Sequence, residues 1–310
     1  MNPLVSICIP TYNRENTILD ALNCALNQTY SNIEILVSDD HSTDNTVALV
    51  KKFKDPRIKL IIQPKNLGMI PNWNFCIKKA KGKYIKFLHS DDLISNNCVE
   101  KEINFLIKNE NVTLVTCKRR FIDENGKVIH TMQFSDKTVV VSGQKYAQKL
   151  LNTIRENHIG EPSAVMFKKT DAIDTGLFDS TFSQLADFEF WLRLHAIGDI
   201  GYINLPLCSF RLHSGSNTTA AIKDGRFIDE TYVFIEKYFG NSKYRKIFNL
   251  TDDKRKKVEK IKTQDFIKNI KILFFSRDFK TAWSYFGRIN KYVTFPKIIL
   301  TSIRYQLSNI

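Results

Sequence analysis

The feature that most limits the fold is an alternation of short apolar runs with helix-spaced segments over residues 1–110. Residues 4–9, 33–38, 58–62 and 83–88 are largely apolar runs, too short for helices and long enough for strands buried on both faces. Between them, residues 16–28 place Ile18, Leu19, Leu22, Ala25 and Leu26 at helical spacing. Residues 44–53, preceded by Ser42 and Thr43, and residues 71–80 also read as helices. Pro10 is expected to stop the first strand. Strand and helix in strict turn imply a mostly parallel sheet with helices on both faces. Ligands of such sheets bind beyond the C-terminal strand ends. Those ends carry Pro10-Thr11-Tyr12-Asn13, Asp39-Asp40 and His89-Ser90-Asp91-Asp92. Three polar clusters therefore point at one crevice.

Beyond residue 110 the pattern changes. Residues 112–121 and 127–132 read as strands around the turn Asp123-Glu124-Asn125-Gly126. A helix over 144–154, a strand over 163–167 and a helix carrying Asp187 follow, then two short strands leading to Arg211-Leu212-His213. After Thr219 the chain is helical and basic. The expected division is 1–110, 111–220 and 221–310.

Composition removes several classes. Hydrophobic residues make up 43% and charged residues 25%, a globular balance. Cys8, Cys24, Cys76, Cys98, Cys117 and Cys208 include no C-x-x-C pair, so small buried thiols are expected rather than disulfides or a zinc site. The first residues lack a secretory pattern and no run of about 18 apolar residues occurs. The expected location is the cytoplasm, with a peripheral position on the inner face of the cytoplasmic membrane as the alternative. Residues 221–310 hold 20 Lys and Arg against 9 Asp and Glu, which places 11 of the 14 net positive charges there. A polyanion is the natural partner of such a segment. No nucleic-acid recognition motif is present, which leaves an anionic membrane surface. Phe266, Ile267, Ile270, the run 272–275, Trp283, Phe286, Phe295 and the run 298–300 interleave with Lys and Arg. Such helices either lie on a membrane surface or pack into the protein.

The acidic clusters carry the chemistry. A carboxylate pair at a strand end suits a hard divalent cation, Mg2+ or Mn2+, held with a diphosphate. Asp91-Asp92 has that form; capping of the following helix is the other reading. Asp39-Asp40 can accept from a base N–H or a ribose hydroxyl while also capping through His41-Ser42-Thr43-Asp44. Asp187, opening an amphipathic segment with Phe188, Trp191, Leu192 and Leu194, is either a cap or a general base for an incoming hydroxyl.

These residues carry a resemblance. Val5-Ser6-Ile7-Cys8-Ile9-Pro10-Thr11-Tyr12-Asn13 resembles the opening of the family 2 inverting glycosyltransferases of the GT-A fold. So do Gln28-Thr29-Tyr30 with the 33–46 block, Asn66-Leu67-Gly68, the 80–85 block, Ser90-Asp91-Asp92, Asp187 with Trp191-Leu192-Arg193, and the 211–218 block. The match runs over about residues 3–220 and does not specify the sugar. It implies a Rossmann-like nucleotide-binding mixed sheet over 1–110, an acceptor-binding half over 111–220 and a basic helical extension over 221–310. It implies that Pro10, Thr11, Tyr12, Asn13, Asp40, Asn66, Gly68, Asn74 and Asp91 bind the nucleotide sugar. Asp92, with His213, would hold Mn2+ or Mg2+; Asp187 would be the base, and Glu161 would meet the acceptor. The implied reaction moves a sugar, from a UDP-sugar first of all, onto a glycan or polyprenyl-diphosphate-linked acceptor in O-antigen, capsule or other surface polysaccharide synthesis. Three departures stand out: His89 where the family often has Asp, Ala186 where a Glu usually precedes Asp187, and Trp73 where many members have Arg. His89 and Ala186 sustain one rival, a nucleotide-sugar-binding or structural protein that kept the fold without catalysis. A membrane-surface scaffold is the other.

Overall fold

The computed structural model describes residues 2–154, 157–213 and 224–293. The chain divides into two compact units, Met1–Gly143 with Asn157–His213, and Gln144–Glu156 with Ser214–Ile310.

The first unit is built on one sheet. Its strands are β1 Val5–Thr11, β2 Ile33–Asp39, β3 Ile58–Ile62, β4 Tyr84–Phe87, β5 Leu93–Ile94, β6 Val112–Ile122, β7 Val128–Met132, β8 Val139–Val141, β9 Val165–Lys168 and β10 Asp199–Arg211. The order is β3-β2-β1-β4-β9-β6-β10-β5, with β7 beside β6 and β8 beside β10. β1 to β4 are parallel, as their helical crossovers require. Beyond β4 the sheet is mixed: β9 inserts antiparallel between β4 and β6, while β10 runs parallel to β6. Helices α1 Ile18–Leu26, α2 Thr46–Val50, α3 Met69–Lys79, α4 Cys98–Lys108, α6 Lys169–Asp174 and α7 Ala186–His195 belong to this unit. Every residue of β1 and β2 is buried, as expected of strands covered on both faces. Under the sheet the Lys86 ammonium meets Glu102 of α4 at 2.7 Å, both fully buried. Five of the six cysteines are buried, Cys24 is half-buried, and all six are free.

Two strand readings change, both at prolines. β1 does not stop at Pro10 but runs on to Thr11. The Cys8 carbonyl accepts from the Leu88 N–H at 2.9 Å, so even-numbered residues of β1 present their peptide groups toward β4. The N–H that Pro10 lacks would therefore face β4, where pairing ends at Cys8, while the β2 side of the strand pairs on to Thr11 without it. The two short strands expected before Arg211 are one strand, β10, with register shifts on both sides of Pro206. Those irregularities accommodate the proline inside a continuous strand.

The second unit contains α5 Gly143–Leu151, whose first residue ends the first unit, with α8 Arg226–Gly240, α9 Ser242–Phe248, α10 Asp252–Phe275 and α11 Phe279–Ile289. Side chains of Asn241, Thr251 and Asp278 cap α9, α10 and α11. Ile228, Phe266, Ile267, Ile270, Tyr285 and Ile289 form a core. Phe266, Ile267 and Ile270 thus pack into the protein, whereas Ile272, Phe275 and Trp283 remain exposed. Residues 294–310, including Phe295 and the apolar run 298–300, lie outside the described residues, as do 214–218 of the last motif block. No described helix is long and apolar enough to cross a membrane.

Candidate active site

The strand-end loops of β1 and β2 are laced together. Asn13, in the left-handed region at φ 51°, donates its N–H to the Ser42 hydroxyl at 2.9 Å and accepts from the Thr43 N–H at 2.8 Å. Asp39 takes the capping role, accepting from the Ser42 N–H and hydroxyl. Asp40 has a different task. The Leu67 and Gly68 N–H groups donate to its Oδ1 and Oδ2 at 2.7 and 2.9 Å, and the Asn66 amide donates to its carbonyl. Gly68 has φ 89°, a conformation strained for any side chain, and it ends the loop that starts α3. Pro10 and Thr11 are buried beside Tyr12, which is 44% exposed. The Thr11 hydroxyl is buried without a hydrogen bond. The structure therefore brings Pro10, Thr11, Tyr12, Asn13, Asp40, Asn66 and Gly68 into connected loops. Asn74 stands apart from them. Its amide donates to the Phe178 carbonyl and accepts from the Phe178 N–H, at 2.8 and 2.9 Å. Both bonds go to one residue and tie α3 to the backbone at Phe178.

The β4 end holds a second cluster. His89, Asp91 and Asp92 each offer a ligand atom within 4.8 Å of the others, a group able to hold a metal ion. Asp92 is 1% exposed; its Oδ1 accepts from the Arg211 N–H at 3.1 Å. Its Oδ2 and His89 Nε2 are buried without hydrogen bonds. Burial and the charge of Asp91 push the Asp92 carboxyl well above its usual range. Asp91 responds differently. Burial opposes its charge, but His213 Nε2 at 3.0 Å and Arg14 Nε at 3.4 Å hold its pKa at about 2. Burial keeps the His89 imidazole neutral, at about 4. Two carboxylates and an imidazole, with one buried carboxylate oxygen unpartnered, fit a divalent cation. His213, assigned with Asp92 to the metal, contacts Asp91. The departures Trp73 and His89 are neighbours, with ring centroids 4.8 Å apart and 30° between planes.

The third cluster surrounds Asp187 in the first turn of α7. The Asn157 amide donates to Asp187 Oδ2 at 2.9 Å. Asn157 also grips both ends of the Gly160 peptide, and the Trp191 indole donates to the Gly160 carbonyl at 2.9 Å. Arg119 of β6 donates to the Asn157 and His158 carbonyls and pairs with Glu161 at 2.9 Å. Asp187 keeps some accessible surface but is deeply recessed. Burial, then the charge of Glu161, push its pKa up to about 7, against the pull of Arg119. The segment 160–163 joins the second and third clusters: Glu161 also repels charge on Asp92, and the His89 N–H donates to the Ser163 hydroxyl at 2.9 Å. Two residues along β6 from Arg119, Phe121 faces His130 of β7 and Phe210 of β10. Their ring centroids lie 4.8 and 5.7 Å from Phe121.

Sequence reasoning missed Arg14, Arg119, Asn157 and this aromatic row. Arg14 directly follows the Thr11-Tyr12-Asn13 block, so its position was available. Arg119 and Asn157 sit in segments without a motif, and only folding brings them to Asp187.

An open α/β sheet with polar loops and a cation-capable carboxylate cluster beyond its strand ends has the arrangement in which such sheets bind ligands. The family description Glycosyl transferase family 2 matches residues 6–174, and the chain belongs to that family. An uncharacterized protein of Mycobacterium tuberculosis is 31% identical over 226 residues, 71% of this chain and 70% of that one. The Escherichia coli UDP-Glc:alpha-D-GlcNAc-diphosphoundecaprenol beta-1,3-glucosyltransferase WfgD is 33% identical over 223 residues, 71% of this chain and 82% of that one. Among solved structures, S. aureus TarS 1-349 in complex with UDP-GlcNAc superposes with a TM-score of 0.65 at 17% identity, covering 93% of this chain and 91% of that one. The Pyrobaculum calidifontis mannosyltransferase PcManGT, in complex with GDP-Man and Mn2+, gives 0.59 at 16% identity, covering 100% and 81%. These two likenesses establish the GT-A fold.

Proposed function

We propose that this chain transfers a sugar, with inversion, from a nucleotide diphosphate sugar to a hydroxyl of a glycan or polyprenyl-diphosphate-linked acceptor. The observation that carries the reading is the opposite treatment of two carboxyls joined by the 160–163 segment. Asp91 is held charged at about 2, whereas Asp187 is raised to about 7. A base poised near neutrality is what deprotonation of an attacking hydroxyl needs. The acceptor oxygen gives its proton to Asp187 and attacks the anomeric carbon. The bond from that carbon to the diphosphate breaks on the opposite side. Asn157 orients the carboxylate, and Glu161 with Arg119 sets its basicity.

Tyr12, exposed at the β1 end, would stack on the base; Asp40 shapes the adjoining loop. His89, Asp91, Asp92 and His213 would hold the divalent cation, which supplies positive charge to the departing diphosphate. An imidazole nitrogen among carboxylates favours Mn2+ over Mg2+. The Phe121–His130–Phe210 row offers an acceptor sugar a platform for its C–H faces. A UDP-sugar is the preferred donor class, supported by the donor named for WfgD and the ligand in the TarS structure. The lipid-linked acceptor named for WfgD supports a role in surface polysaccharide assembly at the inner face of the membrane.

Nucleotide release from a panel of UDP-, GDP- and dTDP-sugars, with Mn2+ or Mg2+, tests this reading. Release from one UDP-sugar, abolished by EDTA and restored by Mn2+, is expected. Full release in EDTA would defeat the metal assignment. No release from any donor, with nucleotide binding intact, would favour the non-catalytic rival.

A further inference from the structure

The second unit carries an apolar surface that its own core does not use. α10 turns inward with Phe266, Ile267 and Ile270, all in the core. Its last turn and the start of α11 behave differently. Ile272, Phe275, Phe279 and Trp283 are 54%, 88%, 52% and 62% exposed. Phe274 contacts Phe279 and Trp283 with ring centroids 5.8 and 6.1 Å away, so the patch is continuous. Lys268, Lys271, Arg277 and Lys280 interleave with it in sequence, all four at least partly exposed. Asp278, the acidic residue within 268–283, has its carboxylate occupied by the Thr281 N–H at the α11 cap. Large exposed apolar patches on soluble surfaces mark interaction sites.

We propose that the α10–α11 turn is a shallow membrane-inserting tip that docks this chain on an anionic bilayer. Charge selects the occupant. An apolar patch interleaved with cations matches a surface with acyl chains below and phosphates above. Phe and Trp enter the headgroup boundary while the Lys and Arg stems reach back to the phosphates. The excess of 11 positive charges over residues 221–310 adds a longer-range attraction to the same surface. The tip deepens the membrane-side placement proposed above. It does not depend on the transfer chemistry, so either reading can fail without the other.

The protein carries its own reporter. Of its three tryptophans, Trp73 and Trp191 are buried and Trp283 is exposed. The full chain is mixed with vesicles of phosphatidylcholine, with or without phosphatidylglycerol. A blue shift of tryptophan emission and co-sedimentation are expected only with phosphatidylglycerol, and both weaken as salt rises. Phe275→Ser keeps the reporter and is expected to lower vesicle partitioning about tenfold. Its release of nucleotide from the donor in solution should stay unchanged. Lys271→Glu with Lys280→Glu should remove the preference for anionic lipid. Three results overturn the proposal: no shift with anionic vesicles, equal binding to both vesicle types, or a shift that follows protein concentration without vesicles. The last would assign the patch to a second copy of the chain.

Discussion

The nucleotide-side loops and the Asp187 pocket use carboxylates in opposite ways. Asp39 and Asp40 spend their oxygens on N–H and hydroxyl donors a few residues away or one loop across. Asp91 is held charged by His213 and Arg14. Asp187 receives one amide and its own helix turn, and it faces Glu161 in a recessed position. In the first region Asp39, Asp40 and Asp91 are tied to donors or cations; the second keeps one carboxyl between its two states. Binding needs the former and proton transfer the latter.

The sharpest test removes the base. Asp187→Asn should bind the donor normally and lose transfer by about a thousandfold, measured as kcat with titrated donor affinity. Transfer at the wild-type rate would end the assignment. On the other side, Asp91→Asn should weaken donor binding in Mn2+ by about tenfold to a hundredfold. An unchanged donor Kd would separate Asp91 from the cation.

The next test reads the pKa difference. Asp187 must be deprotonated to act, so kcat/KM should rise with pH through about 7. Glu161→Gln removes the repelling charge and should move that limb to lower pH; Arg119→Met should move it higher. Stability follows the same proton. Folding raises the Asp187 pKa, so its contribution is whole below the ordinary carboxylate range and is lost as pH rises through about 7. At pH above 8, Asp187→Asn should therefore be more stable than the wild type, by on the order of 1–3 kcal/mol in urea unfolding. The smallest expected effect comes from the pocket wall. Trp191→Phe loses the bond to the Gly160 carbonyl and should cost about 1 kcal/mol, with a modest fall in kcat.

The same contrast explains what could be read in advance. The nucleotide side consists of short contiguous blocks at strand ends, such as Thr11-Tyr12-Asn13 and Asp39-Asp40, so periodicity and residue type locate them together. The Asp187 pocket draws Arg119, Asn157, Glu161 and Trp191 from three stretches whose meeting depends on the insertion of β9 between β4 and β6. No local pattern encodes that insertion. Pro10 misled the strand reading because its absent N–H faces the β4 side, where pairing ends, and not the β2 side, where the strand runs on. Asn74 lies inside a motif, yet its amide bonds the Phe178 backbone, a partner that no local pattern points to.

The Trp73–His89 stack makes its two members unequal to substitution. Their uncharged rings lie 4.8 Å apart between centroids. Asp at position 89 alone would set a carboxylate against the Trp73 ring face in a largely buried place, at a cost of several kcal/mol. Arg at position 73 alone would set a cation over the His89 ring, which attracts it. A donor pocket rebuilt with charges at both positions therefore tolerates the cation first and the anion only once the cation is there.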